Sequence, residues 1–241
     1  MVQGASCVTK TYTITVNREA ASNDANLKLL SASYVHTTGS SATTDVLIPS
    51  SEAGKTIDLG SIPYAATSIS FSATANQEKA KKMTIAVNGG AASDISTSGS
   101  PISGTATCAL KVGDNTCVIE VTAEDNSHKQ TYTIKAHRRS NDATLKSISV
   151  GTNPSIGNLT PTFNPSVKSY DYYYSEKTPS YVITATVNDT DKTQSITMSH
   201  PSGSSSETGN TISKTYTPSY NISADVVNIT VTSEDGNTET Y

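Results

Sequence analysis

Apolar and polar residues alternate one for one along several short stretches of the chain. Ile69-Ser70-Phe71-Ser72-Ala73-Thr74-Ala75 is one and Met83-Thr84-Ile85-Ala86-Val87 is another. Val118 to Thr122 and Gln130 to Ala136 form a pair. A period of two puts successive side chains on opposite faces of a strand, so each stretch predicts a half-buried β-strand. The pair is separated by Glu124-Asp125-Asn126-Ser127, a run of turn formers that predicts a hairpin. Tyr181 to Val187 and Ser195 to Met198 alternate in the same way, and Glu234-Asp235-Gly236-Asn237 carries the Asp-Gly dipeptide favoured in tight hairpins. Helical spacing is lacking, with Glu78 to Lys82 the single candidate for one helical turn. The pattern predicts an all-β fold of antiparallel sheets with one wet face each.

The pattern also repeats. Residues 22–30 read SNDANLKLL and residues 140–148 read SNDATLKSI. Ile119-Glu-Val-Thr-Ala-Glu-Asp125 returns as Ile229-Thr-Val-Thr-Ser-Glu-Asp235, and Thr11-Tyr12-Thr13-Ile14 returns as Thr131-Tyr132-Thr133-Ile134. Thr240-Tyr241 opens that last block once more. These signals divide the chain into residues 1–21, a terminal strand of a preceding module with its linker, and two modules, 22–139 and 140–241, of ordinary domain size. Lys10 to Asn17 is then an orphan closing strand, and the second module lacks most of its last strand. Two readings fit. The chain is a window on a longer array, which is preferred because any slice of an array gives this pattern. Alternatively the orphan strand completes a neighbouring subunit by strand addition, which would propagate a fibre. The expected partners are adjacent modules or copies of the same chain.

Composition narrows the picture. Of 241 residues 34% are hydrophobic and 16% charged; with no Trp and two Phe, the cores must be built from Val, Ile, Leu, Ala and Tyr. At a net charge of −4, basic residues cluster only at Lys79, Lys81, Lys82 and at His137, Arg138, Arg139, without interleaved aromatics. No nucleic-acid partner is expected from that, and no apolar run is long enough to insert in a membrane. Cys108 and Cys117 flank Lys111-Val112-Gly113-Asp114-Asn115. If two strands fold back around Val112 and Gly113, the sulfurs face each other across a ladder. A disulfide is predicted there, the alternative being two small buried apolar residues; Cys7 is left over.

The motifs in order resemble a known family. The second module has Asp142-Ala143-x-Leu145-x-x-Ile148-x-Val150, then Pro161-x-Phe163-x-Pro165-x-Val167-x-x-Tyr170, then Glu234-Asp235-Gly236 and Tyr241. The first keeps the opening, Val112-Gly113-Asp114-Asn115 and the closing hairpin, but lacks the Pro-x-Phe-x-Pro segment. This set is similar to the cadherin-like β-sandwich repeats of surface proteins, including those of flagellar hairs (mastigonemes). The resemblance implies two tandem Ig- or cadherin-like antiparallel β-sandwich modules plus the orphan N-terminal strand. It also implies a non-catalytic structural segment of an extracellular filament or cell-surface appendage. The alternative is an adhesin or carbohydrate-binding accessory region of a bacterial surface protein.

Candidate chemistry is sparse. Glu124-Asp125 and Glu234-Asp235 could pair carboxylates for glycoside hydrolysis, but their recurrence at hairpin tips is better read as a recurring turn. No catalytic residue, cofactor or metal site is expected: the histidines have no ligand spacing, and His128 and His200 read as solvated loop residues. Asn141-Asp142 offers too few oxygens for a hard cation and reads as a capping turn. Sequons begin at Asn158, Asn188 and Asn221 in predicted loops, candidates for N-linked glycans, and at Asn228 where a strand begins. Four sequons are what chance gives in so Ser/Thr-rich a chain; their restriction to the second module is the informative part. In the run from Tyr170 to Tyr174, strand geometry would put Tyr170, Tyr172 and Tyr174 on one side and Tyr173 on the other. That face is either an exposed ladder for sugars or a neighbouring chain, or core and inter-module packing, and the latter is preferred.

Overall fold

Asp24 sets where the first strand begins. Its Oδ1 accepts from the Asn26 N–H at 2.8 Å and its Oδ2 from Asn76 Nδ2 at 2.7 Å, an Asx turn fastened to a second loop. The computed structural model describes every residue except 2–3, 5–7, 38–39, 45–54, 153–157, 174–179, 190–194, 201–202 and 219–224. From the turn the chain enters β1 (Leu27–Thr37), followed by β2 (Ser40–Thr44), β3 (Lys55–Ile62), β4 (Ser68–Ala75) and β5 (Lys82–Val87). Then come β6 (Ser93–Ser96), β7 (Ser103–Ala109), β8 (Gly113–Thr122) and β9 (Lys129–Arg138). One sheet has the order β2-β1-β4-β7 and the other β3-β9-β8-β5-β6. The alternation read in the sequence is the alternation of burial: β8 runs buried and half-buried by turns over most of its length, and β4 buries Ile69, Phe71, Ala73 and Ala75. These meet Met83, Ile119, Val121, Tyr132 and Ile134 from the facing sheet in one core. Phe71 and Tyr132 are its largest fully buried side chains, and burial of each stabilises the fold by about 2–3 kcal/mol.

The second half repeats this with fewer strands. β10 (Leu145–Thr152), β11 (Tyr181–Val187) and β14 (Thr211–Tyr216) form one sheet. The other sheet holds β13 (Gly203–Thr208), β12 (Ser195–His200), β15 (Asn228–Thr232) and β16 (Thr238–Thr240), in that order. Its core joins Leu145, Ile183, Ala185, Ile196, Met198 and Val231. Register matches between equivalent strands of the two halves. Leu30 faces Ala73 as Ile148 faces Ala185, and both first strands carry an irregularity in the same place, after Leu27 and after Leu145. Among the described residues no helix occurs; Glu78 and Lys79 sit in a turn and Lys82 already starts β5.

Three expectations change. Cys108 and Cys117 are bonded, with Cα atoms 6.4 Å apart, but not across one ladder. Cys108 lies on β7 and Cys117 on β8, which belong to opposite sheets. The bridge is an inter-sheet staple inside the core, because β7 pairs with β4 and β8 with β9 and β5. Lys10 to Asn17 lies in no strand, with its apolar side chains exposed: a strand needs a ladder partner, and none of the described strands pairs with it. His200 is not a solvated loop residue; it closes β12, its side chain is 5% exposed, and its ring meets Tyr216 at 4.8 Å between centroids.

Candidate functional site: the module joint and the tyrosine groove

The turn between β8 and β9 and the turn between β15 and β16 are the recurring Glu-Asp tips. Each needs one residue with positive φ, met by Asn126 (61°) and Gly236 (87°). The carboxylates do the same work in both. Glu124 Oε2 accepts from the Ser22 N–H at 3.0 Å, and Glu234 Oε2 from the Ser140 N–H at 3.2 Å. The Asp125 N–H donates to the Ser22 carbonyl at 3.2 Å, and the Asp235 N–H to the Ser140 carbonyl at 2.9 Å. Each tip therefore grips the opening serine of its own module, which is why the two sequence signals travel together. The Ser22 N–H and the nearby cations hold the Glu124 carboxyl below its ordinary pKa. The His128 backbone and ring hold that of Asp125 well below. These are acceptors that stay ionised, not a proton-sharing catalytic pair.

The second tip also reaches the first module. His137, at the end of β9, is held at both ring nitrogens: Nδ1 lies 2.6 Å from Asp114 and Nε2 2.8 Å from Glu234. Burial opposes protonation of His137, but the hydrogen bonds and charges of Asp114 and Glu234 outweigh it and raise its pKa above the ordinary value. Arg139 Nε lies 3.1 Å from Asp235, and Asp235 also accepts from the Tyr64 N–H at 3.2 Å. Arg138 turns inward. Its Nε donates to the Tyr64 carbonyl at 2.9 Å, its Nη1 to the Leu110 carbonyl at 3.1 Å, and its guanidinium stands 4.6 Å from the centre of the Tyr64 ring. The basic cluster at 137–139 is thus a joint. Of its partners, Tyr64 was not singled out in the sequence and Asp114 and Glu234 were read only as parts of turns, since 97 residues separate His137 from Glu234.

At the opening of the second module, Asp142 repeats Asp24. Its Oδ1 accepts from the Thr144 N–H and hydroxyl, at 2.8 and 2.6 Å, and its Oδ2 from Asn188 Nδ2 at 2.9 Å. Burial raises its pKa, but these donors prevail and lower it. Asn188, read as a glycan site, therefore spends its amide nitrogen on Asp142, as Asn76 does on Asp24. Asn158 is exposed outside any strand, and Asn221 lies outside the described residues. No group of three or more His, Cys, Asp or Glu that could hold a metal occurs among the described residues. No helix among them is long and apolar enough to cross a membrane.

The Pro-x-Phe-x-Pro segment folds back on itself through a bridge between Thr160 and Asp171, with the Phe163 and Tyr170 rings stacked at 5.8 Å. Tyr170 packs on the module core, Tyr172 is half-buried, and Tyr173 points outward at 72% exposure. Tyr174 lies outside the described residues. Tyr170 and Tyr172 line a groove of about 310 Å³ together with Ile148, Val150, Ile183, Val227, Ile229 and Tyr241. Tyr241 is fixed there: its hydroxyl accepts from the Leu145 N–H at 3.1 Å, just as the Tyr132 hydroxyl accepts from the Leu27 N–H at 2.8 Å. Lys168 Nζ stands 3.9 Å from the centre of the Tyr241 ring.

Residues 30–139 match the family model described as cadherin-like beta sandwich domain. No curated protein matches the chain.

Proposed function

With residues 30–139 forming a cadherin-like β-sandwich domain, we propose that this chain is a non-catalytic structural segment of an extracellular filament or cell-surface appendage. The observation that supports this reading is the joint. A flexible tether between independent binding modules would be Gly/Ser-rich and unpaired. Here β9 passes into the second module through two residues, Arg139 and Ser140, whose backbone N–H groups donate to the Ile62 carbonyl and to Glu234. His137 and Arg139 tie both sides together through Glu234 and Asp235. Such a link sets the direction of one module on the next, which a filament needs. The buried disulfide fits an oxidising, extracellular compartment.

A sugar-binding role would call for tyrosines side by side on an open face. Among the described residues of that run only Tyr173 is fully turned out, so the observations favour the structural role. Immunogold labelling of the native protein, with intact mass of the isolated material, tests it. Label along an extracellular filament or appendage, on chains whose Cys108 and Cys117 resist alkylation, is the expected result. Intracellular label with both thiols free would overturn it.

A further inference from the structure

The joint between the modules holds one group whose fit depends on a proton. His137 meets a carboxylate at each ring nitrogen: Asp114 of its own module at Nδ1, 2.6 Å, and Glu234 of the next module at Nε2, 2.8 Å. A neutral imidazole carries a single N–H, so one of its nitrogens would set a lone pair against a carboxylate. Only the imidazolium donates to both. The two acceptors differ in what they can do without it. The Asp114 side chain is 75% exposed and can turn to water, whereas that of Glu234 is 8% exposed. Glu234 also accepts from the Ser140 N–H, but among the described residues His137 is the one cation paired with it.

The other charged groups around His137 are already placed. β3 brings Asp58, and β9 itself brings Lys135; both line, with Asp114, His137 and Glu234, a groove of about 580 Å³ that crosses from one module to the other. Arg138 is turned onto the Tyr64 and Leu110 carbonyls, and Arg139 pairs with Asp235 of the same tip at 3.1 Å. Neither arginine stands on Glu234. An arginine–carboxylate pair keeps its charges across the range in which imidazole titrates. The joint therefore has two clasps on the second module's tip. One, His137 on Glu234, needs a proton; the other, Arg139 on Asp235, does not.

We propose that this joint is a proton-controlled latch that sets the direction of the second module on the first. With His137 charged, both clasps are closed and the modules keep one direction. When His137 loses its proton, Asp114 turns to water and Glu234 is left as a nearly buried carboxylate without its counter-charge. Withdrawal of the tip from the end of β9 relieves that, and the second module swings about Arg139 and Ser140, still tethered through Arg139 and Asp235. The raised pKa of His137 has the matching sign: the latch is closed below the ordinary 6.5 and opens as pH rises through the raised value. A run of such modules would stiffen in acid and slacken in alkali. The latch rests on the structural reading and adds a control to its joint, yet fails separately from it. A chain found on filaments whose modules keep one direction at every pH would sink the latch alone.

Pulsed dipolar spectroscopy on the full, spin-labelled chain decides it. In a Cys7→Ser background, labels at Thr105→Cys on β7 and Ser213→Cys on β14 report the distance between the modules; both positions are exposed and lie outside the cores. The distance distribution should be narrow in acid and broaden as pH rises, in step with the His137 imidazole followed by NMR. His137→Asn should be broad at every pH. Glu234→Gln removes the buried charge but keeps an acceptor for the neutral imidazole N–H, so it should stay narrow at every pH. A distribution in the otherwise unchanged chain that does not vary with pH overturns the proposal. So does a Glu234→Gln chain that broadens along the same pH course.

Discussion

The two modules solve one problem with different means. At one place in the sandwich the first module staples its sheets with Cys108 and Cys117. Ile69 pairs with Cys108 where Tyr181 pairs with Tyr216, and Cys117 corresponds to Val227. The second module therefore carries Tyr216 and Val227 where the first carries the bridge. The Tyr216 ring packs tilted against those of Tyr181, at 5.7 Å between centroids, and His200, at 4.8 Å. A covalent link acts chiefly by limiting the unfolded chain, whereas an aromatic cluster acts by burying area in the folded one. In the first module the ten-residue β9 is flanked by β3 and β8, while in the second, among the described strands, β16 pairs with β15.

Calorimetry can break this comparison, since modules with separate cores should melt as separate transitions. The largest effect should come from Tyr216→Ala, which should destabilise the second module by about 3–5 kcal/mol and leave the first transition in place. Replacing Cys108 and Cys117 together by Ala should cost the first module about 2–3 kcal/mol and spare the second. A shift of both transitions in either variant would mean that the cores are coupled through the joint. The joint itself should respond to pH. The pKa of His137 is raised in the folded chain above its ordinary 6.5, so its contribution is complete below 6.5 and is lost as pH rises through the raised value. His137→Asn should remove that dependence, worth about 1 kcal/mol, and NMR titration of the imidazole checks the sign. Smallest should be Tyr132→Phe and Tyr241→Phe. The first removes the hydroxyl bond to the Leu27 N–H, for about 1 kcal/mol. The second removes the bond to the Leu145 N–H and also the hydroxyl's donation to the Pro165 carbonyl at 3.1 Å, so it should cost the more of the two. Equal losses would show that the Pro165 contact contributes nothing.

Much of this fold was legible because its signals are local. Alternation of period two marked β4, β5, β8, β9, β11 and β12, and the Ser-Asn-Asp and Glu-Asp motifs marked the module openings that the tips grip. What could not be read depends on distant partners. β3 lies parallel to β9, pairing Lys55 with Tyr132 and Ile57 with Ile134, and nothing near Lys55 announces a partner so far along the chain. The disulfide pairing was visible, but not that it crosses between sheets, because a short polar link between two alternating strands looks the same whether they share a ladder or face each other. The basic run at 137–139 was legible as a cluster without interleaved aromatics, but not as a joint, because Glu234, Asp235 and Tyr64 lie far from it along the chain.

The parallel placement of β3 against β9 carries a mechanical consequence. β9 is the strand by which the first module leaves toward the second, and it is bonded lengthwise to β3 on one edge and β8 on the other. Tension along the chain draws β9 along its own axis. The bonds on both edges are then loaded together in shear, not opened one after another as in a peeled hairpin. The module that passes load to its neighbour is the one with the covalent staple, so under stretch the second module should give way first.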